Sequence, residues 1–291
     1  MRKIFAVLLP VALIGCGTMP DYYSTLEDNT INETVYDSFH PALTSPEKGR
    51  SNTGEFPEWI SANDIDAPQN RSVQMRLTAP AAWAKNPEGF DLAASMGIFV
   101  TDLALDANSK FTLQATFQWP QDEGPPDSIT DQQCRDPTVA STTGWTVTVV
   151  AREGGRDDAY NLSRIQLSFK STGSSVDMRV QQIDGKVADQ SANTTLVIPT
   201  KLPISLEDHR KLFCSGEPFT LKLDVNRADG TGTATIEGAG LSYPPLPITL
   251  TGQFAAGTGP TLTAAGVALA NAFSPGETVS VRVKDLKIWK N

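Results

Sequence analysis

The sequence predicts an all-β protein: an antiparallel β-sandwich with one short helix, preceded by a disordered N-terminal tether. Three observations carry that prediction. From residue 97 onward, apolar and polar residues alternate in run after run, and a period of two places each apolar set on one face of a sheet. Glycine and Asp-Gly pairs punctuate these runs at short spacing, which is hairpin chemistry. Residues 17–70 differ from the rest, being rich in Asp, Glu, Asn, Thr, Ser and Pro with no sustained apolar period. Such a segment buries too little surface to offset the entropy of ordering it.

At the N-terminus, Arg2 and Lys3 precede a 12-residue apolar run, Ile4–Gly15. A spanning helix needs about 20 apolar residues, so this run is too short. A basic start, an apolar middle and a small residue before the cut are the parts of a secretory signal. The run ends Leu13-Ile14-Gly15-Cys16, which resembles the lipobox of bacterial lipoproteins. That resemblance implies a signal peptide over 1–15 and lipidation of Cys16, so that the membrane is a partner through lipid. Gly17 rather than Asp follows the cysteine, which by the same resemblance implies an outer-membrane address in a Gram-negative envelope. The plainer alternative is an ordinary signal peptide with a chance cysteine.

Residues 16–70 then form an acidic, lipid-anchored tether, and 71–291 the β domain. Between 17 and 70 ten acids face two bases, Lys48 and Arg50, whereas 71–291 hold 23 acids and 20 bases. A coil of 54 residues spans about 40 Å, and like charges extend it. Tyr22, Tyr23, Tyr36 and Phe39 are aromatics that the tether offers to the domain or to a partner. Phe56, Trp59 and Ile60 mark where tether meets domain. The acidic balance, with no basic stripe in the sequence, argues against nucleic acid as a partner.

Within the domain, Phe111–Trp119, Ile165–Phe169, Val176–Val180, Phe219–Val225 and Val279–Val283 alternate cleanly. One buried face and one wet face is the habit of antiparallel sandwiches. Gly154-Gly155, Gly173, Asp184-Gly185 and Asp229-Gly230 separate the runs, and the Asp-Gly pairs predict type I′ turns. One helix is expected at Leu206–Phe213, with Ser205 as N-cap and Asp208 three residues on, as in a capping box. Thr261–Phe273 is Ala-rich but reads as a strand. The last run changes parity between Val283 and Leu286, so a bulge near Asp285 is expected to keep both groups inward.

This strand rhythm resembles the concanavalin A-like (laminin G-like) jelly roll over roughly Met96–Asn291. The residues that carry the likeness are Gly97-Ile-Phe-Val, Phe111–Trp119 and the closing Val279–Trp289. The resemblance implies that the closing strand pairs with an early one. It also implies a choice among lectin, carbohydrate-binding module, glucan hydrolase and polysaccharide lyase, because a fold hosts many functions.

No catalytic residues emerge. Glycoside hydrolysis needs two convergent carboxylates, and no Glu-x-Asp-x-Glu or near variant occurs. His40 lies in the tether, and His209 reads as an exposed helix residue without a Gly-x-Ser-x-Gly elbow elsewhere. Asp177 and Asp224 are lone strand acids on solvent-facing parity. Glycan-binding candidates are Trp83 and Tyr160, in loops, with Arg164 and Arg179 on strands. Trp119, Trp145 and Trp289 read as core or strand-end packing, and Tyr243 as a weaker aromatic candidate. Gln166, Gln181 and Gln182 accompany the arginines, although ordinary wet-face residues explain all five equally. The implied cofactor set is none, with calcium as an option at Asp157 and Asp158, flanked by Glu153 and Asn161. Calcium takes six to eight oxygen ligands, and a solvated hairpin loop explains the same acids. Cys134 and Cys214, in an oxidising compartment, predict one disulfide; the competing reading is two unpaired thiols.

The functional expectation is therefore a non-catalytic, outer-membrane-anchored domain that binds a glycan or an envelope partner. The alternatives are an unconventional polysaccharide hydrolase or lyase, and a protein-interaction module in envelope or surface assembly.

Overall fold

The computed structural model describes the chain over residues 103–120, 144–153, 163–171, 176–183, 195–272 and 278–290, and the strand backbones at 33–39, 59–60, 73–78 and 93–100. Two antiparallel sheets make a sandwich. In one, seven strands run in the order β1 (Glu33–Phe39), β4 (Ala93–Val100), β14 (Ala264–Ala272), β6 (Gly144–Arg152), β7 (Arg164–Ser171), β8 (Val176–Ile183) and β9 (Thr195–Ile204). In the other, the order is β12 (Leu241–Ser242), β11 (Thr231–Gly238), β10 (Phe219–Asn226), β5 (Lys110–Gln118), β15 (Thr278–Lys290), β3 (Val73–Thr78) and β2 (Trp59–Ile60), with β13 (Leu246–Thr249) paired to β11. The predicted fold class is what forms.

Alternation decides which residues fill the space between the sheets. Val147, Val149, Ile165, Leu167, Phe169, Met178 and Val180 enter from the seven-stranded sheet. Leu113, Phe117, Leu221, Leu223, Val281, Val283, Leu286 and Ile288 enter from the other. Phe219 joins the two sides: its ring lies 5.7 Å from Phe117 and 6.3 Å from Trp119, and 5.6 Å from Phe169 across the gap. Such pairs add about 0.5–1.5 kcal/mol beyond the area they bury.

The closing strand β15 pairs with β3 on one side and β5 on the other, tying the two ends of the domain as expected. Its register shifts between Val283 and Asp285, so the expected bulge lets Val281, Val283, Leu286 and Ile288 all face inward. The Ala-rich stretch is strand β14, between β4 and β6. Its small side chains suit a central strand with close neighbours. Two parts of the segment read as tether also pair: Glu33–Phe39 with β4 and Trp59–Ile60 with β3. At the opposite edge, β9 carries Pro199 and Pro203, and proline blunts an edge strand by removing a ladder donor.

The helix α1 (Leu206–Ser215) crosses from β9 to β10, and hence from one sheet to the other. Ser205 Oγ accepts from the Asp208 backbone N–H at 3.0 Å and donates to the Asp208 carboxylate at 2.9 Å. Gly216 ends the helix in the left-handed region at φ 64°, which costs glycine little. His209 and Leu212, three residues apart, both turn inward. The expectation of an exposed His209 is corrected: only 8% of it is accessible, and its ring lies 6.4 Å from Phe169.

The Asp229-Gly230 turn also departs from expectation. Among the described residues Ala239 is the one non-glycine with positive φ, so Asp229 is not left-handed and the turn is not type I′. Instead the loop runs Arg227–Gly230, with the Gly230 N–H on the Arg227 carbonyl at 3.3 Å and Gly230 at φ 67°. Arg227 explains the difference. Its side chain is fully buried and its guanidinium donates to three backbone carbonyls: Leu105 at 2.9 Å, Pro260 at 2.7 Å and Thr258 at 2.9 Å. It lies 5.6 Å from the Phe254 ring centre. One side chain thereby fastens two long loops to the end of the sandwich. Gly259 must be glycine beside it, since at φ 96° a Cβ would stand 1.9 Å from the Gln253 carbonyl oxygen.

Candidate functional site

The outer face of the seven-stranded sheet gathers the strand residues that the sequence proposed for ligand contact. On β7, Arg164, Gln166, Ser168 and Lys170 share the parity opposite to the core residues Ile165, Leu167 and Phe169. Their neighbours are fixed by register: Val150 and Gln181 flank Gln166, Thr148 and Arg179 flank Ser168, and Arg152 stands beside Arg164. Arg164 and Arg179 therefore lie on one face, on adjacent strands.

A hydrogen-bonded row crosses that face. Thr148 and Ser168 hydroxyls are bonded at 3.0 Å; Gln166 Nε2 donates to Ser168 Oγ at 3.3 Å and to Gln181 Oε1 at 2.7 Å. Thr148 and Ser168 are buried at the centre of the face while Gln166 and Gln181 are partly accessible. At one end, Arg179 binds Asp177 through two bonds of 2.5 Å, from Nε and from Nη2. Asp177 has the expected outward parity but is only 8% accessible, because Arg179 closes over it. A bidentate fork of this kind fixes both side chains. At the other end, the Glu153 carboxylate accepts the Ser163 backbone N–H at 3.0 Å, which pins the start of β7 to the end of β6. The described part of this face is thus a pre-arranged plane of amides, hydroxyls and cations.

Several candidates do not join it. Gln182 shares the inward face with Ile165. Its amide accepts the Thr251 N–H at 2.9 Å and donates to the Thr249 carbonyl at 3.1 Å, linking the two sheets. Tyr243 is not a platform for a ligand: its hydroxyl donates to Asp208 at 2.7 Å and accepts the Ser205 N–H at 3.0 Å. The hydroxyls of Tyr243, foremost, and of Ser205 donate to the Asp208 carboxyl and hold it below its ordinary pKa. Trp119 is buried in the core as expected, whereas Trp289 is only partly buried, on the parity opposite to Ile288. Cys16, Trp83, Cys134, Asp157, Asp158 and Tyr160 lie outside the described residues. Cys214 is partly buried at the end of α1 and packs against the core. Among the described residues there is no group of three or more His, Cys, Asp or Glu that could hold a metal, and no helix long and apolar enough to cross a membrane.

Sequence reasoning missed Arg227, His209 and Tyr243 as anchors. Their partners are backbone carbonyls, a distant ring and a helix cap, and none of these has a spacing signature. The signal that was available was chemical: Arg227 immediately follows an alternating strand, at a hairpin.

No protein-family profile matches the chain, and no curated protein sequence does. Similar backbones occur among solved structures. One is an endo-1,3-beta-glucanase from Streptomyces sioyaensis, at TM-score 0.40 and 12% identity, covering 75% of this chain and 78% of that one. Another is lectin I-B4 from Griffonia simplicifolia, at TM-score 0.42 and 9% identity, covering 89% and 93%. A third is arcelin-5, a lectin-like defense protein from Phaseolus vulgaris, at TM-score 0.43 and 9% identity, with the same coverage. These are likenesses of fold alone.

Proposed function

We propose that this chain is an outer-membrane-anchored binding protein, lipidated at Cys16, whose sandwich takes a glycan on the outer face of the seven-stranded sheet without turning it over. The observation that carries this reading is the partly accessible pair Gln166–Gln181, held in place by the buried Thr148 and Ser168 hydroxyls and bounded by Arg164 and Arg179. Sugar hydroxyls need donors and acceptors set in a plane, and side chains already tied to one another lose little entropy on binding. Catalysis fits this face less well. Among the residues of β6, β7 and β8, Asp177 is the carboxylate on this face, and both its oxygens hold Arg179. Cys134 and Cys214 are the two cysteines of 71–291 and form one bridge in this reading, anchoring the end of α1. Calcium at Asp157 and Asp158 is the ion the reading allows.

The test is a glycan array with the purified mature chain, in calcium and in chelator, with product analysis on every hit. Specific binding without turnover is expected. Turnover would replace the binding reading with the enzymatic one. No binding in either condition would leave an envelope protein as the partner, to be sought by pull-down from intact envelopes. Cys16→Ala tests the anchor separately, and is expected to move the protein from the membrane to the soluble fraction.

A further inference from the structure

Two tryptophans of the eight-stranded sheet lie on opposite sides of it. Trp119, just past the end of β5, is fully buried and stacks on Phe219 in the core. Trp289, near the end of β15, has the outward parity and is partly accessible. An indole carries a large apolar area and an N–H that seeks a partner. Among the described residues, the Trp289 N–H has no hydrogen-bond partner and its ring has no aromatic contact. β3 pairs with Thr278–Val283, so no described strand flanks Trp289 on that side. Lys290 Nζ donates to the Ala104 carbonyl at 2.8 Å, which ties down the strand end that carries the ring.

The frame around that ring is polar. The outward residues of β5, β10 and β11 are threonine, glutamine, asparagine, lysine, aspartate and glutamate without exception. Register sets Trp289 beside Thr112 and Thr112 beside Asp224. Gln114 is a diagonal neighbour of Trp289, since it pairs with Lys287. Diagonal partners stand about 7–8 Å apart, within reach of aromatic and long side chains. Gln114 is partly accessible, and its amide has no hydrogen-bond partner among the described residues. Asp224 lies two strands from Trp289, about 10 Å away. Thr112 at 2.6 Å and Lys222 at 3.0 Å brace its carboxylate, which stays 36% accessible. An open indole therefore sits beside an idle amide and a fixed carboxylate.

We propose that this is a saccharide site of its own, on the outer face of the eight-stranded sheet. The ring face of one pyranose unit of a neutral polysaccharide stacks on Trp289, and hydroxyls of that unit and the next reach Gln114 and Asp224. The inference goes beyond the reading above, which places a glycan on the opposite sheet, and stands without it. A pyranose has an apolar C–H face and a rim of hydroxyls, which matches one indole in a polar frame. A protein partner would seat its anchors in a desolvated apolar centre, and the outward residues of β5, β10 and β11 offer none. Charge does not select the ligand either. Lys222 and Lys287 are already held by Asp224 at 3.0 Å and Asp285 at 2.6 Å. Lys110, on the other diagonal from Trp289, is exposed and serves as the control for charge.

The experiment runs the mature chain through native gels containing hydroxyethylcellulose, dextran or galactomannan, whose retardation of the band gives the affinity. At least one polymer is expected to retard it, with little change between low and physiological salt. Trp289→Ala is expected to weaken that affinity by at least about tenfold, and Trp289→Phe, which keeps a ring, by less than about threefold. Gln114→Ala should cost about threefold and Lys110→Gln less than about twofold. Thermal unfolding of each variant shows whether it is folded, and Gln114→Ala with Trp289→Phe keeps the test decisive if Trp289→Ala is not. If no polymer retards the chain, this site is overturned, and the glycan array decides the opposite face by itself. If retardation survives Trp289→Ala and is lost in Gln166→Ala, the sugar sits on the seven-stranded sheet: this proposal falls and the earlier reading stands. If Lys110→Gln costs as much as Trp289→Ala, the contact is one of charge and stacking is overturned.

Discussion

The two outer faces of the sandwich are built from the same alternating pattern yet hold their charges differently. On the eight-stranded sheet, Lys222–Asp224 and Lys287–Asp285 are ordinary surface pairs, and Thr112 donates to Asp224 at 2.6 Å while Thr116 and Thr220 hydroxyls bond at 2.9 Å. On the seven-stranded sheet the Arg179–Asp177 pair is nearly closed to solvent, at 14% and 12% side-chain accessibility. It abuts a row of hydrogen-bonded amides and hydroxyls. Period-two alternation guarantees only that a side chain faces outward. Its register partners decide whether it becomes solvated surface or part of a fixed, hydrogen-bonded plane.

That contrast can be broken or sharpened by substitution. The largest effect is expected where both faces share a support. Phe219→Ala removes the ring that touches Phe117, Trp119 and Phe169, and should cost about 3–5 kcal/mol in denaturant unfolding. A change below 1 kcal/mol would mean that the sheets do not depend on this contact. Asp177→Ala leaves the mostly buried Arg179 without its carboxylate and should cost about 2–3 kcal/mol.

Acid should act through His209, beneath the seven-stranded side. Burial pushes its pKa from 6.5 down to about 3, so the folded state favours the neutral ring. Its contribution is complete above pH 6.5 and is lost as pH falls from 6.5 toward 3, at about 1.4 kcal/mol per unit. Between pH 6.5 and 5, where few carboxylates titrate, a loss of about 2 kcal/mol is expected, and His209→Gln should flatten it. An equal slope in that variant would remove His209 as the cause. The smallest effect belongs to the eight-stranded face: Asp224→Ala should cost less than about 1 kcal/mol, since Lys222 and Asp224 are each about a third accessible. A cost equal to that of Asp177→Ala would erase the distinction between the faces.

Local signals made much of this legible. Parity placed Leu113, Phe169 and Leu223 in the core, the phase change at Val283–Leu286 located the bulge, and Ser205 with Asp208 located the helix start. What stayed hidden depends on contacts between distant residues. Register alone puts Arg164 beside Arg152, and register is a property of pairs of strands. His209 reads as exposed because its helix is short and polar, yet its inward face is set by Phe169 on β7 of the seven-stranded sheet. Glu33–Phe39 alternates weakly amid acidic residues, and its strand character comes from β4 as a template. Arg227 is the clearest case. Buried arginine is disfavoured on average, and only three carbonyls gathered from two loops make it stable here.

The closing strand has a consequence for the order of assembly. Val279–Ile288 fits between β5 and β3, so the middle of the eight-stranded sheet is a gap until residues 278–290 arrive. Lys290 sits in register with Phe111 and Arg282 with Gln74, contacts of very high sequence separation, which slow folding through the entropy of closing the intervening chain. A growing chain therefore cannot commit early to its core. A truncation before Thr278 should leave β3 and β5 as unpaired edges and an aggregation-prone intermediate, instead of a smaller stable domain.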